Sequence, residues 1–121
     1  MFRQPVSLRN LTGLVVLTGE DVLGGRTFED AIGRGGLPGR KSSYQIPYRA
    51  LVPERVDNLL VAGRCISADH VALGSLRIMV TCMVMGEAAG AAAILSLHEE
   101  VAPRELAAAL LREQLHRGGA I

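Results

Sequence analysis

The sequence predicts an α/β chain of the α+β kind: short strands first, then a long helix rich in small residues, then a C-terminal helix. Three observations carry this. Short apolar, β-branched runs at 11–18 and 58–62 suit strands. The stretch from Ile78 to about His98 is apolar, free of proline and too long for a strand. After Pro103, leucines 106, 110, 111 and 115 recur at helical spacing up to Gly118-Gly119.

Taken in order, residues 1–10 are polar. Leu11 to Thr18 (LTGLVVLT) reads as a strand and Gly19-Glu20-Asp21 as the turn after it. Val22, Phe28 and Ile32 are apolar positions in an acidic stretch, and a short helix is expected across Phe28–Ile32. The cluster Gly33-Arg34-Gly35-Gly36-Leu37-Pro38-Gly39 should end it as a surface loop. Its glycines loosely suggest a phosphate loop, but no strand precedes them and Leu37-Pro38 blocks the helix a dinucleotide fingerprint requires. Tyr44 to Val52 contains Pro47, which points to an extended segment or edge strand. Pro53 to Asp57 is a turn, and Asn58 to Ala62 (NLLVA) a short strand stopped by Gly63. Residues 1–43 are taken as an N-terminal strand and loop segment and 44–121 as the main segment of one compact unit.

The totals narrow the function. At 121 residues the chain is one domain at most. Only 3% of residues are aromatic against 49% hydrophobic, so the core must be aliphatic. A net charge of +1 without a basic patch gives no footprint for nucleic acid. Cys65 and Cys82 show neither metal spacing nor a disulfide framework, and Cys65 has no resolving thiol near it in sequence. Reduced thiols and the lack of an apolar leader point to the cytoplasm. The tract from Ile78 to Leu97 contains Thr81, Glu87 and two glycines, which favours a buried helix over a membrane span.

Chemistry concentrates between Asn58 and Ala93. A strand ends at Ala62-Gly63; a loop follows with Arg64, Cys65, Ser67, Asp69, His70, Ser75 and Arg77. The next helix opens without a charged residue until Glu87, so its first N–H groups and its dipole favour an electron-rich ligand atom. Gly86, Gly90 and alanines 88, 89, 91, 92 and 93 leave that helix nearly bare. Each interior glycine costs about 1 kcal/mol against alanine. Contact at backbone distance with another element explains them; from spacing alone, that element can be protein as well as ligand. His70 is an acid/base candidate or a structural loop histidine. Tyr44 and Tyr48 either line an approach to the site or cover the sheet edge.

The run IPYRALVPERVDNLLVAGRCISADHVALGSLRIMVTCMVMGEAAGAAA resembles the C-terminal block of the FAD-dependent oxidoreductase family. The shared features are an IPYR-x-L-VP opening, an NLLVAGRC-IS strand and loop, an LGS-x-R segment and a T-C-M-x-x-G-x-AAG helix. LRNLTGLVVLTGEDVLGGRTFEDAI resembles the preceding segment more weakly. The resemblance implies that the chain completes a Rossmann-like FAD domain whose GxGxxG unit is not in this sequence. It implies FAD-binding roles for Gly63, Arg64, Cys65, Ser75, Arg77, Met79, Val80 and Thr81, with residues 77–81 along the flavin and Gly86 and Gly90 against the nucleotide domain. It also implies a need for a partner: a separate FAD-binding polypeptide or a second copy of this chain. The alternative is a non-catalytic oligomerisation module that binds no cofactor alone. No membrane partner and no metal are expected.

Overall fold

The computed structural model describes residues 12–35, 44–76 and 79–119. Helix α1 spans Gly19–Leu23, strand β1 Ala31–Gly35, strand β2 Tyr44–Pro47, helix α2 His70–Leu76, helix α3 Met79–Glu99 and helix α4 Ala108–Arg117. Single 3-10 turns occupy Tyr48–Leu51 and Pro103–Glu105. Strands β1 and β2 pair antiparallel, with Gly33 opposite Ile46, Gly35 opposite Tyr44 and an irregularity between Ala31 and Gly33. The expected α+β character is present.

Several elements differ from the sequence reading. Thr18 to Asp21 is a helix start, not a turn. The Thr18 hydroxyl accepts from the Asp21 N–H at 3.2 Å and the Asp21 carboxylate accepts from the Thr18 N–H at 3.1 Å. This reciprocal box satisfies two otherwise orphaned donors. The segment before it forms isolated bridges only, Gly13 with Pro53 and Leu17 with Ala68. Phe28–Ile32 is not helical: its second half enters β1, and residues 31–35 are extended. Gly33 and Gly35 belong to that strand for a packing reason. A Cβ at Gly33 would collide with Val84 of α3, and one at Gly35 with the Tyr44 ring. The rest of the glycine cluster, 36–39, lies outside the described residues.

Residues 59–62 run outside any sheet, and Val61 donates to the Leu51 carbonyl at 2.9 Å. Helix α3 begins and ends close to expectation. Glu100 takes the left-handed conformation (φ 55°) and the Val101 N–H bonds the Ser96 carbonyl at 3.1 Å, a Schellman closure. The expected single helix from Pro103 is a 3-10 turn followed by α4. Of its four inward leucines, Leu106, Leu111 and Leu115 are buried and Leu110 is half-buried.

The core is aliphatic, as the composition requires. Leu17, Ile32, Ile46, Leu51, Ile66, Leu76, Met85 and Leu111 are its largest buried side chains. Helix α3 contributes Thr81, Met85, Ala88, Ala92 and Ser96, one face at spacings of three and four. Asp30 is buried between the strands and the 48–51 turn, accepting from the Arg49 backbone N–H at 3.0 Å and from its guanidinium at 3.0 and 3.3 Å.

Candidate functional site

The residues singled out by the sequence sit on three pieces of the chain: the turn 63–66, the start of α2 and the first turn of α3. Gly63 takes φ 85°, a conformation glycine adopts without strain, and nothing lies within 4 Å of where a Cβ would stand. The Ile66 N–H closes the turn on the Gly63 carbonyl at 3.2 Å. Arg64 projects from it, exposed. Cys65 is half-buried and its thiol donates to the Ala62 carbonyl at 3.3 Å.

Asp69 holds the next piece. One carboxylate oxygen accepts from the Ala72 N–H at 2.8 Å, capping α2, and the other from the Gly19 N–H at 3.1 Å, at the start of α1. Both oxygens are therefore engaged in fixing helix starts. The D-x-x-A spacing carried the α2 cap in the sequence; the link to Gly19, fifty residues away, left no local signal. His70, first residue of α2, is exposed.

In the first turn of α3 the side chains diverge. Met79 and Val80 are 76% and 68% exposed, whereas Thr81 is buried at 4%. Thr81 turns inward beside the Tyr44 hydroxyl, which is buried and lacks a well-formed hydrogen bond. Burial pushes the Tyr44 phenol up, only partly offset by the Thr81 hydroxyl. Tyr48 is also inside, donating to the Pro103 carbonyl at 2.7 Å, with burial raising its pKa to about 12. Both tyrosines are thus core residues of the β layer. Arg77 lies outside the described residues, as does the Ser75 side chain. Among the described residues no hydrogen bond or ion pair joins 63–65 to 79–81.

Sequence reasoning located the small-residue helix and the structure defines its open side. Met79, Met83, Gly86, Gly90, Ile94 and Leu97 follow one another at helical spacing, and the four large side chains are between 59% and 80% exposed. A Cβ on Gly86 or Gly90 would meet nothing within 4 Å. The helix is long and apolar enough to cross a membrane by length and composition, yet only 28% of its most apolar stretch is buried in the fold. Next to it lies a groove of about 560 Å³ between Asn58, Leu60, Ala93 and Val101, where the Ser96 hydroxyl is buried without a hydrogen-bond partner.

This arrangement has a strand-like segment without a sheet, an open glycine turn and a bare helix face. Residues 8–115 match the model of a family described as FAD dependent oxidoreductase. The chain belongs to that family. Among curated proteins and among solved structures, nothing matches the chain. The family's cofactor can be tested against the residues present. Gly63 leaves backbone open, Arg64 is an exposed cation with no ion pair among the described residues, and α3 starts with no acidic residue in its first turn. Taken singly, each suits an electron-rich edge of a flavin nucleotide, as a backbone donor or a positive charge. Among the described residues, no cluster of His, Cys, Asp or Glu fits a metal ion.

Proposed function

We propose that this chain is the flavin-proximal part of an FAD-dependent oxidoreductase, and that a GxGxxG-bearing nucleotide-binding unit completes its site. The observation that carries the reading is the uncovered side of α3. Two interior glycines are unfavourable for the helix, and among the described residues an added Cβ at either would meet nothing within 4 Å, which makes sense when backbone docks there. The extended segment 59–62 beside it supports the same completion, being apolar and outside any sheet. Gly63 and Arg64 would hold the nucleotide, and the backbone of residues 77–81 would run along the ring, with Met79 and Val80 excluding water. Cys65 and Ser75 flank these positions. His70, exposed at the start of α2, is the candidate proton donor or acceptor on the substrate side. When bound, a flavin supplies hydride or electron transfer. The chain's part is to place donors where negative charge develops on reduction.

The test is an FAD titration of the chain alone and of the chain mixed with a GxGxxG-bearing domain from the same family. The expected result is weak binding alone and a stoichiometric yellow complex in the mixture. Tight one-to-one binding by the chain alone refutes the division of the site. A second reading, an association module without cofactor, draws on the same α3 stripe; it requires a homo-oligomer and no flavin uptake in any mixture.

A further inference from the structure

A second cavity, of about 480 Å³, shares no lining residue with the groove beside α3. Three arginines line it, from three separate parts of the chain: Arg49 from the 3-10 turn after β2, Arg104 from the turn before α4, and Arg112 from α4. Each guanidinium is fixed by part of its donor set. Arg49 uses two N–H groups on Asp30. Arg104 places Nε on Asp57 at 3.0 Å and Nη2 on the Pro53 and Glu54 carbonyls at 3.2 and 3.0 Å. Arg112 uses one, on the Glu29 carbonyl at 2.9 Å. A guanidinium has five donors, so every one of the three keeps donors to spare in directions already set by its anchor.

The charge and the walls specify the ligand class. The lining carries three cations against two carboxylates, Glu29 and Asp30, and both Asp30 oxygens are occupied by Arg49. Asp57, which pairs with Arg104, is 73% exposed and stands outside the lining. Arg49 and Arg104 each already have a carboxylate partner, whereas Arg112 meets only the Glu29 carbonyl, so its charge is the one an entering anion would meet. Leu14, Val52 and Leu106 give it an apolar side. We propose that this cavity binds a small organic monoanion, a carboxylate on an apolar body, with the carboxylate held by Arg112 and Arg104. The inference stands apart from the flavin reading.

Benzoate, with neutral benzamide as its control, tests this on the whole chain by NMR titration. Saturable benzoate shifts centred on residues 104–112, absent with benzamide, are expected. Arg112→Gln should weaken binding by about tenfold or more, since a charge-assisted bond is lost. Arg112 is exposed, so the variant should keep its circular dichroism spectrum. Arg117→Gln, which removes an exposed cation outside the cavity lining, should leave binding unchanged. The proposal is overturned by no saturation at millimolar benzoate, by equal binding of benzamide or inorganic phosphate, or by equal loss in the two variants.

Discussion

Replacing Gly86 and Gly90 together by alanine separates what α3 needs for itself from what its open side is for. Both glycines sit inside the helix without positive φ, and an added Cβ at either meets nothing within 4 Å. The substitutions therefore bring no clash and no new burial. What remains is backbone entropy: about 1 kcal/mol gained per site, or about 2 kcal/mol for the pair. For a chain of 121 residues that raises the midpoint of thermal unfolding by about 8 °C. Thermal unfolding followed by circular dichroism, repeated at several protein concentrations to expose any contribution from association, measures it. The same pair should weaken assembly with the nucleotide-binding unit, because two methyl groups hold the backbones apart. A double variant less stable than the parent would show that the chain's own fold uses those glycines. A stabilised variant that assembles as well as the parent would refute contact at backbone distance.

Two further outcomes test the core. Asp30→Ala leaves the Arg49 N–H without its acceptor and should cost about 1–3 kcal/mol, the exposed guanidinium returning to water. Burial pushes the Asp30 carboxyl up, but the hydrogen bonds and charge of Arg49 outweigh it and hold the group below the usual carboxylate range. Its stabilisation is thus full above the unfolded value and lost as pH falls through the lower folded one; urea midpoints across the acid range should fall less steeply in the variant. At the alkaline end, the only two tyrosines are both raised by burial, Tyr48 to about 12. An unfolded chain has about half its tyrosine ionised near pH 10, whereas the folded chain should show far less tyrosinate absorbance there. Stability should decline as pH rises from about 10 towards 12. Half-ionisation at pH 10 with the fold intact would contradict the buried placement.

What the sequence disclosed follows the range of the forces involved. Helix α3 was legible because its apolar, small-residue run is continuous and local. Thr18-x-x-Asp21 carried a legible cap that the turn reading passed over, glycine at 19 having suggested a break. Strand β1 was hidden for a different reason. Gly33 and Gly35 read locally as loop, and only Val84 and Tyr44, distant in sequence, explain why side chains are excluded there. The extended path of 59–62 was foreseen from its apolar residues, but its lack of a sheet was not, since pattern reports backbone shape and not the neighbour. For the site, Gly63 and the opening of α3 were recognisable by residue type and resemblance. The inward turn of Thr81 and the double use of Asp69 depend on packing that no local spacing encodes.

The stitching of residues 12–19 to the chain's middle has a kinetic side. Leu14 bonds Val52, Leu17 bonds Ser67 and Asp69, and Gly19 meets Asp69 fifty residues on. None of these bonds forms until a long loop has closed, and loop closure costs entropy before any contact returns it. Helices α3 and α4 need no such closure. On this topology the local helices α3 and α4 are expected to organise before residues 12–19 dock on the chain's middle.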